Sequence, residues 1–155
     1  MSGPPEKLKY EANLVWDGES GAEVCIGQRH RLRLDMPVEY GGKGRFPCPD
    51  ELFFSAAGGC LVTTYLYFMR KLRLRLRGLQ VSVKGTVGSA GPSGYRIRGI
   101  EAAIHVKVDG EERSKAEECA ELTRRYCHIT RSLEPAFPVE VSIDVRTTSE
   151  TTKGT

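Results

Sequence analysis

The feature that most constrains this chain is an 18-residue stretch without a charged side chain, Leu52 to Met69, closed by Arg70 and Lys71. That length touches the lower limit for a membrane span, and flanking cations suit one. Ser55, Gly58, Gly59, Thr63 and Thr64 lower its hydrophobicity, however. Strand-like segments lie on both sides, so a span would cut a domain in half. The stretch therefore reads as a helix buried all round in a protein core. Its start is well marked: Pro49 suits a first helical position, and Asp50 and Glu51 complement the positive end of the helix dipole. The helix is predicted to run to about Leu72, with Arg70, Lys71 and Arg73 at its carbonyl end.

Around this helix the pattern changes to period two. Residues 6–16 and 22–34 read as strands, separated by turn chemistry at Asp17-Gly18 and Gly21. Pro37 to Pro49 reads as a loop. Leu79 to Gly85 alternates as a strand, Gly88 to Gly94 as a turn, and Tyr95 to Val108 as a long strand broken near Gly99. A second helix is predicted from Ser114, with Glu117 completing a capping box. It would carry Ala116, Cys119, Ala120, Thr123 and Tyr126 toward the core. Val139 to Val145 is the last strand. This order predicts an α+β fold with mostly antiparallel sheets packed around a long buried central helix plus a second helix. The 155 residues suit one domain, taken as 1–146, followed by a flexible polar tail over 147–155.

Several function classes recede on composition. A net charge of +3 demands no polyanionic partner. The cluster Arg70 to Arg77 is what a helix end followed by the wet face of a strand produces, and no glycine-aromatic RNA motif accompanies it. No nucleic-acid partner is expected, and no membrane. The N-terminus has no apolar stretch that would serve as a secretory signal. Five cysteines is an odd number, and none shows zinc-ribbon spacing. His30, His105 and His128 share no element at ligand spacing, so neither metal nor cofactor is expected. The expected compartment is the cytoplasm, where a thiol is either buried and inert or chemically employed.

Cys60 follows a run of small residues midway along the central helix. A free cysteine there behaves as a small hydrophobe, yet Gly58-Gly59 costs a helix roughly 1–2 kcal/mol relative to alanines. Space beside Cys60 serves either helix packing or close approach of another group. Cys127 ends the second helix. Cys119 and Cys127 are about 12 Å apart along a helix, beyond disulfide reach. Cys25 reads as structural. Cys48 stands at the mouth of the central helix, where backbone N–H groups favour a thiolate, and is a candidate for a backup redox role.

Two segments together carry a resemblance: PDELFFSAAGGC from Pro49 to Cys60, and YCHITRSL from Tyr126 to Leu133. They resemble the OsmC/Ohr family, the osmotically inducible protein C and organic hydroperoxide resistance proteins. That family's pattern is a Pro-x-Glu-Leu helix start, a small-residue run ending in a cysteine, and a second cysteine opening Cys-Pro-(Val/Ile)-Ser-x-x-Leu. The resemblance implies an intertwined homodimer with sites between subunits, and a peroxidase acting on organic hydroperoxides with an external dithiol as reductant. It implies Cys60 as the peroxidatic thiol, Cys127 as the resolving one and Glu51 as the active-site carboxylate. The family also places an arginine near the peroxide. Arg45, which precedes the same helix, is the first choice, with Arg29, Arg31 and Arg33 as alternatives. His128 departs from the family pattern by replacing proline, which alters that turn. A non-catalytic ligand-binding or structural dimer of the same fold is the alternative reading.

The chemistry sets conditions on such a site. A thiolate attacks a peroxide, and an ordinary cysteine titrates near 8.5. Cys60 is too deep in its helix for the dipole to help, and burial alone raises its pKa. A cation must reach it. Glu51 and Cys60, nine residues apart on one helix, point to nearly opposite faces and are about 13 Å apart along the axis. If both serve one site, the glutamate comes from the partner subunit. Phe53, Phe54, Tyr65 and Phe68 form either an apolar wall favouring bulky hydroperoxides or ordinary core.

Overall fold

The computed structural model describes residues 6–148; the expected tail beyond Thr148 lies outside the described residues. These residues fall into two compact units divided between Leu52 and Phe53.

The first unit contains strands β1 (Ala12–Trp16), β2 (Gly21–Ile26) and β3 (His30–Asp35), an antiparallel meander in that order. The Asp17-Gly18 turn forms as expected: the Asp17 carboxylate accepts the N–H groups of Glu19 and Gly21. The single strand expected over 22–34 is instead a hairpin. Gly27 adopts φ +56°, a left-handed conformation that only glycine takes cheaply, and reverses the chain into β3. Asp35 is wholly buried at the end of β3. Its carboxylate receives the Ser20 hydroxyl at 2.7 Å, the Met36 N–H at 2.9 Å, and the N–H and Nε of Arg45 at 3.0 and 2.8 Å.

Helix α1 (Pro49–Lys71) starts in the first unit and runs through the second. The second unit adds β4 (Leu76–Ser89), β5 (Tyr95–Val108), α2 (Arg113–Tyr126), α3 (His128–Leu133) and β6 (Val139–Thr147). β4 and β5 pair antiparallel, and β6 joins β5 in parallel. A parallel neighbour needs a crossover, which α2 and α3 provide. β6 runs through Thr147, which is buried, so the last strand is longer than predicted. The irregularity expected near Gly99 is present: the β4–β5 register skips Arg98 between Thr86–Gly99 and Val87–Ile97.

Alternation explains the core. Ile100, Ala102, Ile104, Val106 and Val108 are all buried on one face of β5. Against that face pack Cys60, Leu61 and Tyr65 of α1 and Ala116, Cys119 and Ala120 of α2. The tyrosine is wholly buried and its hydroxyl donates to the Ala116 carbonyl at 3.3 Å, so Tyr65 belongs to the core. Gly85 in β4 permits a close approach: a Cβ there would lie 2.1 Å from Cζ of Phe54.

Three local expectations are corrected. Within the chain α1 is buried along the stripe Ala57, Cys60, Leu61 and Tyr65, not all round; Ser55, Ala56, Gly59, Thr63 and Tyr67 are exposed. By length and composition α1 would suffice to cross a membrane, with a mean hydropathy of 1.5, but that stripe sits in the core just described. Ser114 does not cap α2. The helix begins one residue earlier, and the Glu117 carboxylate binds Arg113 Nε at 3.0 Å. Tyr126 is exposed rather than inward, because it is the last residue of α2 and its ring meets Phe68 at the surface. Of the basic cluster, Arg75 pairs with Glu111 and Glu112, and Arg77 with Asp109.

Candidate active site

The stripe spacing of α1 turns Cys60 inward, leaving it 6% exposed. What it meets is set by the way α2 ends. The Cys127 N–H still bonds back to the Thr123 carbonyl at 2.9 Å, but its backbone is extended, with φ −63° and ψ 106°. The Cys127 carbonyl then accepts the Arg131 N–H at 3.0 Å and the Thr130 hydroxyl at 3.2 Å, starting α3. This sharp break presents three successive residues to one sulfur.

The Cys127 thiol and the Ile129 N–H lie close enough to Cys60 Sγ to act on its ionisation. The sulfur lies 3.6 Å from His128 Nδ1 and 4.0 Å from His128 Nε2. The Thr64 hydroxyl, one helical turn on, is 4.0 Å away. Burial pushes the Cys60 thiol above its ordinary pKa, and the neighbouring Cys127 pushes in the same direction. The Ile129 N–H and Thr64 hydroxyl oppose this by stabilising a thiolate. Both thiols are free, as are those of Cys25, Cys48 and Cys119.

Cys60 and Cys127, about 67 positions apart in the sequence, are thus brought together. The other expected site residues belong to the first unit. Glu51 accepts the Cys48 N–H at 2.8 Å, reaching back to the residue before Pro49 as the third helical residue of a capping box does. The Arg45 guanidinium is bound on three sides: Nε by Asp35 at 2.8 Å, NH1 by Glu19 at 2.8 Å and NH2 by Asp17 at 2.7 Å. These contacts hold the carboxyls of Asp17, Glu19 and Asp35 below the usual range: for Asp17 first through the Glu19 N–H, for Glu19 first through Lys43, and for Asp35 first through Arg45 itself. Arg33 stacks over the Phe46 ring at 4.4 Å, and Arg29 and Arg31 are exposed.

Cys119 is wholly buried, and burial pushes its thiol up to about 11, so it is chemically quiet. Among the described residues no three His, Cys, Asp or Glu side chains are grouped to hold a metal ion. His105 pairs instead with Asp144 at 3.3 Å. The neighbour whose role sequence reasoning missed is His128. It was weighed as a metal ligand and as a departure from the family's turn, not as a partner of Cys60; the available signal was an imidazole adjacent to the second cysteine.

The α+β architecture, with its long helix α1 and second helix α2, is that of an OsmC-like protein. The sequence profile of the OsmC-like protein family matches residues 42–142, and the chain belongs to that family. No curated protein matches it. Among solved structures it is similar to an OsmC organic hydroperoxide resistance protein from Legionella pneumophila, with 18% identity, a TM-score of 0.71, and coverage of 89% of this chain and 98% of that one. An OsmC-like protein from Mycoplasma pneumoniae is similar at 17% identity and TM-score 0.73, over 92% of this chain and 99% of that one. An organic hydroperoxide resistance protein from Elizabethkingia anophelis, with thiocyanate bound, is similar at 15% identity and TM-score 0.71, over 92% and 100%. At such identities the likeness establishes the fold.

Proposed function

We propose that this protein is a cytoplasmic cysteine peroxidase that reduces organic hydroperoxides to alcohols. The observation that carries the reading is the proximity of the Cys60 and Cys127 thiols, both buried in one core cluster. A peroxidatic cysteine needs a second thiol within reach, or its oxidised form awaits an outside one. In the proposed cycle the Cys60 thiolate attacks the distal oxygen of the hydroperoxide, the O–O bond breaks, and an alcohol leaves. Cys60 is then a sulfenic acid. The Cys127 thiol condenses with it, releasing water and forming an intramolecular disulfide, which an external dithiol reduces by exchange.

Glu51 and Arg45 are assigned to orient the peroxide, with the protein acting as a homodimer in which the partner subunit supplies the glutamate. Helix geometry supports that origin, since nine residues separate Glu51 from Cys60 on α1. The Arg45 assignment carries a condition. Its guanidinium must exchange at least one of its three carboxylate partners to meet a substrate.

The test is mass spectrometry of the reduced protein after one equivalent of cumene hydroperoxide. A Cys60–Cys127 disulfide is expected. Cys60→Ser abolishes peroxide consumption, whereas Cys127→Ser completes one turnover and stalls without added thiol. Undiminished consumption by Cys60→Ser disposes of the mechanism. Wild-type protein that consumes no peroxide leaves the alternative, a non-catalytic dimer of this fold.

A further inference from the structure

We infer that His128 is a catalytic residue of the Cys60 site, accepting the thiol proton and returning it to the leaving oxygen. The inference rests on the peroxidase reading and adds to it a group that the family pattern, with proline at this position, lacks. Cys60 is buried, and its thiol is favoured over its thiolate by that burial. A reaction that consumes a thiolate there needs a base within contact. An imidazole in contact with it is that of His128, 3.6 Å through Nδ1 and 4.0 Å through Nε2. Both ring nitrogens lie near the sulfur, and the tautomer decides which of them can accept its proton. The Arg45 guanidinium, by comparison, is held by three carboxylates.

His128 is also exposed, while Cys60 and Cys127 are buried. The imidazole therefore joins the enclosed sulfurs to solvent. In the step, the proton of Cys60 passes to His128, giving a thiolate beside an imidazolium. The thiolate sulfur bonds to the terminal hydroperoxide oxygen as the O–O bond breaks. The alkoxide takes the proton from His128 and leaves as alcohol. Sulfur is oxidised by two electrons to sulfenic acid, the hydroperoxide is reduced by two, and the imidazole is again neutral.

Two variants separate the side chain from the backbone. His128→Pro installs the residue the family pattern has, at a first helical position where proline fits. His128→Gln keeps the backbone N–H and a polar side chain. In each, alkylation of Cys60 by iodoacetamide at neutral pH, followed by peptide mass spectrometry, is expected to slow at least about tenfold, and cumene hydroperoxide consumption to slow by about 10²-fold. Cys48 alkylation serves as the internal reference and should not change. Unchanged Cys60 alkylation in either folded variant overturns the inference. Slowed alkylation supports the pair even if the wild-type protein consumes no hydroperoxide, an outcome that removes the peroxidase reading alone. Should one variant fail to fold, the other decides.

Discussion

Replacing Gly85 by alanine tests how α1 is seated on the sheet. A Cβ built on Gly85 would lie 2.1 Å from Cζ of Phe54 and 2.2 and 2.3 Å from its two Cε atoms. Ordinary carbon–carbon contact is about 3.5–4.0 Å, so the ring must retreat by about 1.5 Å. Alanine is favoured over glycine in a strand by roughly 0.5–1 kcal/mol. Overpacking of this kind costs about 1–3 kcal/mol. The clash wins, with a net loss of about 1–2 kcal/mol, or about 3–6 °C in Tm for a chain of this size. Urea denaturation with linear extrapolation measures it. Phe54→Ala should relieve the clash, so the two substitutions combined should cost at least about 1 kcal/mol less than their sum. Additivity within about 0.5 kcal/mol would show that the ring does not rest on Gly85 and would refute the packing argument.

Two further outcomes follow from the charges and thiols. Asp17, Glu19 and Asp35 have depressed pKa values in the folded state, so the native protein binds fewer protons than the unfolded chain as pH falls. Their stabilisation is complete above the ordinary carboxylate range near 4 and is lost progressively below it; Tm measured from pH 7 to pH 3 should fall more steeply for wild type than for Asp35→Asn, and equal slopes would contradict the assignment. Cys119, pushed up to about 11 by burial, should resist iodoacetamide at pH 8 in the folded protein and react only in denaturant; labelling at the rate of half-buried Cys48 would refute its burial.

Periodicity made some elements legible and left others hidden for definite reasons. α1 was readable because an uncharged run followed a proline and two acids, and β5 because every second residue from Ile100 to Val108 is apolar. The same periodicity placed Ala116, Cys119, Ala120 and Thr123 inside. Tyr126 shares that spacing, but it stands where α2 stops and the surface begins. The β2–β3 hairpin was missed because Gly27 is the sole glycine of its turn, and a polar pair, Gln28 and Arg29, also fits an exposed strand. α3 has only six residues, too short to show a period of 3.6. Arg45 drew attention as a cation before the main helix, yet its three carboxylates come from positions 17, 19 and 35, which no local pattern connects.

The Cys127–His128 step shows why a motif can mark a site and still conceal its chemistry. A proline after the second cysteine fixes φ and surrenders an N–H, both harmless at a first helical position, where the backbone N–H has no partner within its own helix. The residue before a proline is driven to extended backbone. Cys127, at φ −63° and ψ 106°, occupies that region with a histidine after it. The break between α2 and α3 therefore does not depend on proline: the Thr130 hydroxyl and Arg131 N–H on the Cys127 carbonyl, and the Cys127 N–H on Thr123, already define it. A position whose backbone is fixed by its neighbours is free to vary its side chain. At position 128 that freedom is spent on an imidazole 3.6 Å from Cys60. His128→Pro should accordingly preserve the fold while changing the reactivity of the sulfur, and a circular-dichroism spectrum and Tm like those of wild type would be the sign that geometry and chemistry are separable at this residue.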